Sequence, residues 1–192
     1  MSNVMNFKTT YLCNANEAAL GKSIQIASPV FQCYGSKSAF FGRIETLRLF
    51  EDNELVRHTL KGNGAGRVLV LDGGGSMRCA LLDGKLVELA YENKWEGIII
   101  NGCIRDSFAI NMIDIGIRAL ATHPQGSRKS GHGETNVPVN FWNICFSSEK
   151  FLYADEDGLL VSEHTLTMWD SIESSKARSA SQESVEDSAD SD

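Results

Sequence analysis

The hydrophobic positions of this chain follow two spacings in turn, which predicts alternating strands and helices. Residues 39–50 alternate apolar and polar side chains near their end and include β-branched residues, as a strand does. Residues 53–61 repeat apolar side chains at helical spacing. Continuous apolar runs predict buried strands, and the helical spacing returns between them. The further strands are predicted at 67–71, 97–100 and 116–121, and the further helices at 86–94 and 106–113.

From Asn136 onward the pattern changes to short strand-like segments separated by turns such as Asp157-Gly158. Strand–helix units followed by a run of short strands predict a mixed α/β domain, in which helices cover a sheet and a second β layer follows. We find no internal repeat. The predicted strands of this part lie at 137–139, 142–146, 151–154 and 159–162.

Composition divides the chain into a domain and a tail. A length of 192 residues and a hydrophobic fraction of 42% are typical of one soluble globular domain, which we place at residues 1–169. Residues 170–192 form an acidic, serine-rich tail. From about residue 176 the only apolar side chain larger than alanine is Val185, so we expect disorder there.

Charge and hydropathy exclude several classes of function. The net charge is −7, of which the tail carries −5, so the other 169 residues carry only −2. Direct nucleic-acid binding is therefore not expected, because proteins that bind nucleic acid usually have a surface rich in Lys and Arg. No apolar run approaches the ~18 residues that span a bilayer, so no membrane association is predicted. The N-terminus lacks the apolar core of a secretory signal, which makes a cytoplasmic location the expectation.

The thiol and imidazole groups give no sign of a metal site. The five cysteines are scattered and include no C-x-x-C pair, so we interpret them as buried free thiols in a reducing compartment. The four histidines form no H-x-H or H-x-x-x-H pair, which argues against zinc. A G-x-S-x-G motif, typical of hydrolases with a serine nucleophile, is absent as well.

Two glycine-containing segments could bind an anion. The first, residues 72–76 (DGGGS), follows a predicted buried strand, and its glycines allow either tight packing against a neighbouring segment or contact with a ligand. The second, residues 82–86 (LDGKL), leads into a helix. Its amides suit a carboxylate or phosphate, although Asp83 could simply cap the helix.

A third segment carries the strongest chemistry. Residues 101–106 (NGCIRD) follow a predicted buried strand, and ligands collect at the carboxyl ends of strands in open α/β sheets. Arg105 can grip a carboxylate, and Asp106 can hold a divalent cation. The alternative is a surface ion pair with a helix cap. The long polar loop at 122–135 is a further functional candidate because of its length.

Several separated motifs occur together in an order that resembles one known family. The resemblance is to the RraA-like family and covers roughly residues 10–163. It implies a swivelling β/β/α domain with mixed sheets and covering helices, assembled as a ring-shaped homotrimer with sites at the subunit interfaces. The motifs lie at residues 50–53, 66–76, 95–106, 114–119, 133–139 and 152–158.

The resemblance implies one of two activities. One branch of the family is a class II, divalent-metal-dependent aldolase that cleaves 4-hydroxy-4-methyl-2-oxoglutarate and decarboxylates oxaloacetate, so a small 2-oxo acid would be the substrate. The other branch is a ribonuclease regulator, which acts as an inhibitor by binding a ribonuclease or helicase partner. A trimer without activity is a third reading. We favour the lyase, which would form pyruvate through an enolate stabilised by Mg²⁺ or Mn²⁺.

The resemblance also implies roles for particular residues. Arg105 and Asp106 would be catalytic, with Arg105 binding a substrate oxygen and Asp106 holding the metal ion. The start of the helix predicted at 86–94 would bind the substrate carboxylate through its backbone. The residues of that helix start are Asp83, Gly84, Lys85 and Leu86.

The chain departs from the pattern of the enzyme branch at one position. That pattern is an aspartate, twenty residues, and then Arg-Asp. Arg105-Asp106 is present, but the position of the first aspartate holds Gly84, and Asp83 lies one residue early. The intact Arg-Asp pair favours the lyase, whereas Gly84 favours the regulator.

Overall fold

A ten-stranded mixed sheet forms the centre of the protein, which we describe from a computed structural model. The described residues are 7–166, so the tail predicted at residues 170–192 lies outside them. The sheet contains β1 (Ile24–Ile26), β2 (Gln32–Tyr34), β3 (Phe40–Arg48), β4 (Arg67–Asp72), β5 (Ala80–Leu82), β6 (Gly97–Ile104), β7 (Gly116–Thr122), β8 (Glu134–Thr135), β11 (Phe151–Ala154) and β12 (Leu159–Ser162). A separate hairpin contains β9 (Val139–Phe141) and β10 (Ile144–Phe146).

The strand order of the sheet is β1-β12-β11-β3-β4-β6-β7-β2, with β5 beside β6 and β8 beside β3. Strands β3, β4, β6 and β7 run parallel to one another, and β5 is parallel to β6. The carboxyl ends of these five strands therefore meet at one edge. That edge is where ligands bind in open α/β sheets.

Helices cover one face of the sheet and the β9–β10 hairpin covers the other. The described helices are α1 (Thr9–Ala15), α2 (Glu54–Leu60), α3 (Gly84–Glu92) and α4 (Ser107–Ile110). Buried side chains of α2, α3 and α4 pack on alternate residues of the parallel strands, such as Leu69 and Leu71. The residues that alternate with these, such as Val68 and Val70, lie on the opposite face of the sheet and pack on the hairpin. The mixed α/β class with helices and a second β layer is confirmed.

Most predicted elements are present, with differences at their ends. The strand predicted at 97–100 was expected to end at Asn101-Gly102, and this was wrong, because β6 continues to Ile104 with an irregular register against β7. Pairing with β5 and β7 overrides the local turn signal of Asn-Gly. As a result, Arg105 directly follows the strand. The sequence did not reveal α1, β1, β2 or β5, and the end of the loop predicted at 122–135 forms β8.

The cysteines are free, but they are not uniformly buried. Cys79 and Cys103 are buried, and burial raises the pKa of both thiols. The expectation of buried thiols was wrong for Cys33, which is exposed because β2 is an edge strand. Among the helices of the described residues, none has the length and apolar character needed to cross a membrane.

Candidate active site at the carboxyl ends of the parallel strands

Arg105 and Asp106 form the turn between β6 and α4. The Arg105 amide donates to the carbonyl oxygen of Leu82 at 3.0 Å, which ties this turn to the end of β5. Asp106 has a left-handed backbone, with φ of 60° and ψ of 35°. Aspartate tolerates this conformation better than most residues, and strained residues of this kind cluster at functional sites. The turn brings both side chains to the start of α3.

Asp83 is the residue that joins the start of α3 to Arg105. Its Oδ1 accepts a hydrogen bond from the Leu86 amide at 3.0 Å, so the predicted helix cap is confirmed. Its Oδ2 accepts from Nη2 of Arg105 at 3.1 Å. Asp83 is buried, with 8% of its surface exposed. One carboxylate thus stabilises the helix end and holds the guanidinium in place.

Gly84 lies against Asp106. The Gly84 amide donates to Oδ2 of Asp106 at 3.3 Å, and the same Oδ2 lies 4.0 Å from Nε of Arg105. A Cβ built on Gly84 would lie 3.6 Å from the Asp106 Cβ and 3.8 Å from its Oδ2, which are ordinary contact distances. The position could therefore accommodate a Cβ, and contact with the neighbouring residues does not require glycine there.

The structure brings Asp83, Gly84, Arg105 and Asp106 together, but it separates the other two predicted site residues. The Lys85 side chain is exposed, whereas the Leu86 side chain is fully buried in the core beneath the helices. Leu86 can reach a ligand only through its main chain, and its amide already donates to Asp83. The substrate roles of all six residues stay predictions.

The loop at 122–135 passes beside Arg105, a contact that the sequence did not reveal. The Ala80 amide donates to the carbonyl oxygen of Gln125 at 2.7 Å, and the Ser127 amide donates to the carbonyl oxygen of Ala80 at 3.1 Å. These bonds hold Gly126 beside β5. A Cβ built on Gly126 would lie only 2.8 Å from Nη1 of Arg105. Ala80 and Gly126 carry no local signal of this role.

The far part of the same loop is anchored by Asp52, which is buried. Its carboxylate accepts hydrogen bonds from the amides of Ser130 at 2.6 Å, Gly131 at 3.2 Å and Glu54 at 3.0 Å. Burial by itself raises the pKa of Asp52, but the backbone hydrogen bonds outweigh burial and hold the pKa below its ordinary value. Asp52 is therefore charged at neutral pH and fixes the loop over the sheet edge.

The glycine-rich turn at 72–76 packs against its neighbours. The amides of Gly73 and Gly75 both donate to the Asn101 carbonyl oxygen at 3.1 Å, and the Gly74 amide donates to Asp72. A Cβ on Gly73 would lie 2.4 Å from Leu81 and 2.8 Å from the Asn101 carbonyl oxygen. Of the two interpretations of this segment, the structure favours tight packing, because its amides already have acceptors within the protein.

A divalent cation fits the site only through a single carboxylate. Within residues 7–166, no three His, Cys, Asp or Glu side chains are grouped so that they could hold a metal ion. Both oxygens of Asp83 have partners, but the Asp106 side chain is 53% exposed. Mg²⁺ commonly binds one or two carboxylates and completes its shell with water and substrate oxygens. Asp106 is compatible with binding of that kind.

We expect Asp83→Ala to lower the free energy of unfolding by about 1–2 kcal/mol, since an N-cap contributes about 1 kcal/mol and a partly exposed ion pair less. Urea denaturation measures the change. Asp83→Asn is the matched control, because asparagine caps helices equally well without the charge. Equal losses for both variants would show that the ion pair, and not the cap, stabilises the helix start.

Comparison with known proteins shows which family and which relatives this chain resembles. The family model described as RraA-like, Aldolase/RraA, matches residues 9–161. A protein from Dechloromonas aromatica is 53% identical over 163 residues, which are 85% of this chain and 100% of that protein. It is named "Putative 4-hydroxy-4-methyl-2-oxoglutarate aldolase".

Solved structures with the same architecture carry two other names. The RNA-processing inhibitor RraA from Thermus thermophilus superposes with a TM-score of 0.79 at 40% identity, over 85% of this chain and 96% of that chain. A Geobacillus kaustophilus protein named S-adenosylmethionine: 2-dimethylmenaquinone methyltransferase gives a TM-score of 0.78 at 40% identity, over 82% and 96%. The names of similar proteins therefore indicate different functions, and the choice among these functions depends on the residues of the site.

Proposed function

Because the chain belongs to the RraA-like family, we propose that it is a lyase that releases pyruvate from small 2-oxo acids. The substrates would be of the 4-hydroxy-4-methyl-2-oxoglutarate or oxaloacetate type. The single observation that carries this proposal is the grouping of Arg105, Asp83 and Asp106 at the start of α3, where Nη2 of Arg105 lies 3.1 Å from Asp83. The names of relatives such as the Dechloromonas protein agree with it.

The chemistry requires stabilisation of negative charge. Both retro-aldol cleavage and decarboxylation of a 2-oxo acid leave an electron pair that delocalises onto the 2-oxo oxygen. Arg105 is permanently charged, and its guanidinium can bind two oxygens at once. With Asp83 fixing one of its amino groups, Arg105 would present the rest of the guanidinium to the substrate carboxylate and the 2-oxo oxygen.

Asp106 would hold the Mg²⁺ or Mn²⁺ ion. When bound, that ion supplies a second positive charge to oppose the charge on the substrate. The Gly84 amide donates to Oδ2 of Asp106 and would fix the orientation of this carboxylate. Such an arrangement needs no Schiff base, in keeping with a site built from Arg and Asp without a buried lysine.

The homotrimer is part of the same proposal. Phe108 and Met112 lie four residues apart beside the site, and their side chains are 84% and 75% exposed. Exposed apolar side chains of this size often mark protein contacts. We infer that this surface, formed by α4 and the turn after it, is buried between copies of the chain, which would bring each site close to a neighbouring subunit.

The second candidate function is a regulator that binds a ribonuclease or an associated helicase without chemistry of its own. Gly84 favours it, since the enzyme branch has a carboxylate at this position. The Thermus thermophilus neighbour is named as an RNA-processing inhibitor. The two candidates differ in one measurable property, which is metal-dependent turnover.

Pyruvate release from oxaloacetate tests the proposal. The purified protein is assayed with Mg²⁺, with Mn²⁺ and with EDTA, and the rate of the metal ion alone is subtracted. We expect turnover that EDTA removes, together with a trimer by light scattering. A folded protein whose rate does not exceed that of free metal, with oxaloacetate and with 4-hydroxy-4-methyl-2-oxoglutarate, would reject the lyase. Capture of a purified ribonuclease would then support the regulator.

A further inference from the structure

Gly126, in the 122–135 loop, lies beside the guanidinium of Arg105. A Cβ built on Gly126 would lie 2.8 Å from Nη1 and 3.2 Å from Cζ of Arg105. The backbone of Gly126 does not lie in the left-handed region, so an L side chain is compatible with its conformation. A side chain at residue 126 would therefore displace the guanidinium of Arg105.

The backbone at Gly126 is held firmly, whereas the guanidinium is the end of a flexible side chain. Ala80 bonds to both neighbours of Gly126, accepting from the Ser127 amide and donating to the Gln125 carbonyl oxygen. Asp83 binds the second terminal nitrogen of the guanidinium, Nη2, at 3.1 Å. The carboxylate at Nη2 and the fixed main chain beside Nη1 both restrict where the guanidinium can lie.

We propose that Gly126 is a positioning residue, which sets the orientation of Arg105 for binding the planar carboxylate of a 2-oxo acid. The proposal rests on the lyase function proposed above. A methyl group at residue 126 would push Nη1 away by several tenths of an ångström, because contacts under 3.0 Å essentially do not occur. The anchored loop would move less than the guanidinium. Small displacements of a binding group can cost up to about a hundredfold in rate.

The test compares Gly126→Ala with Gly158→Ala in the full-length protein. Gly158 is a matched control, because its backbone also lies outside the left-handed region and no atom lies within 4 Å of its built Cβ. Oxalate, a planar dicarboxylate that resembles the enolate of pyruvate, is titrated calorimetrically with Mg²⁺ present, and KM and kcat are measured with oxaloacetate. For Gly126→Ala we expect about tenfold weaker oxalate binding and a raised KM, with an unchanged melting temperature.

A double variant separates positioning from a general effect on the loop. In the Arg105→Ala background, Gly126→Ala should cause no further loss of oxalate affinity, because contacts that act through one residue are not additive. An equal loss in both backgrounds, or wild-type oxalate affinity in Gly126→Ala, would overturn the proposal. A wild-type protein that binds oxalate but does not release pyruvate would reject the lyase while leaving the positioning of Arg105 measurable. A wild-type protein that does not bind oxalate would overturn the positioning proposal, while pyruvate release still decides the lyase.

Discussion

Arg105→Ala is expected to lower kcat/KM for pyruvate release from oxaloacetate by at least about a hundredfold. Removing one preorganised donor to a developing negative charge costs 10²–10³ in rate in comparable sites. The Arg105 guanidinium would lose both functions that we propose for it, which are binding of the carboxylate and stabilisation of the 2-oxo oxygen. Arg105→Lys keeps the charge but not the planar fork, so we expect it to recover only part of the loss.

Asp106→Ala should have an effect of similar size with a different signature. Asp106 is the carboxylate that would hold the ion. In Asp106→Ala the rate should therefore respond less to Mn²⁺ concentration. In Arg105→Ala the response of the rate to Mn²⁺ should remain. Calorimetric titration with Mn²⁺ gives a readout without turnover. The two substitutions would then separate metal binding from substrate binding.

Two remote substitutions serve as controls for this pair. Arg43 donates to the Ser148 carbonyl oxygen on an exposed surface, and Asp157 lies in the exposed turn before β12. Arg43→Ala and Asp157→Asn should keep the wild-type rate. Circular dichroism and light scattering show whether each variant folds and assembles. Full activity in a folded Arg105→Ala or Asp106→Ala protein would contradict the assignment of the site.

The sequence predicted the location of the candidate site because the relevant signals are local. A buried apolar run indicated a strand ahead of Arg105, although not where that strand ends, and Asp83 before a helical pattern indicated a cap. Both features depend on residues within a few positions of each other. Because the strands are parallel, the residues that follow them lie at one edge of the sheet, which places Asp83 near Arg105.

Other features depend on residues far apart in sequence and could not be predicted in this way. Strand β5 has three buried residues, and a run this short does not differ from a buried turn until its partner β6 is known. The Asn101-Gly102 pair is a turn signal that strand pairing overrides. The contact between Gly126 and Arg105 joins positions 21 residues apart and carries no periodicity at all.

Gly84→Asp is the substitution for which we expect a large gain. It restores the aspartate of the enzyme pattern at the first residue of α3, where a carboxylate also interacts favourably with the helix dipole. The built Cβ has ordinary contacts with Asp106 and Ala109, the nearer at 3.6 Å, so the backbone has room for the first atom of a side chain. A second carboxylate beside Asp106 would strengthen the affinity for a divalent cation and supply a general base.

We expect Gly84→Asp to raise metal-dependent cleavage of 4-hydroxy-4-methyl-2-oxoglutarate by about a hundredfold, because a base removes the 4-hydroxyl proton in retro-aldol cleavage and a hundredfold is the lower end of the range for general acid–base catalysis. Its Mn²⁺ affinity should increase in parallel, because two adjacent carboxylates repel each other until a cation binds between them. Gly84→Asn has nearly the same shape without the charge, and Gly84→Ala fills part of the space. Neither should increase the rate.

The outcome of this comparison decides what Gly84 means for the wild-type protein. If only the aspartate variant turns over substrate, the natural glycine has removed the catalytic carboxylate from an otherwise complete site, which favours the regulator. If wild type and variant are equally fast, Arg105 and Asp106 suffice for retro-aldol cleavage, and a base at position 84 is dispensable. If aspartate and asparagine give the same gain, the effect comes from shape and hydrogen bonding, and the proposal of a second metal-binding carboxylate is wrong.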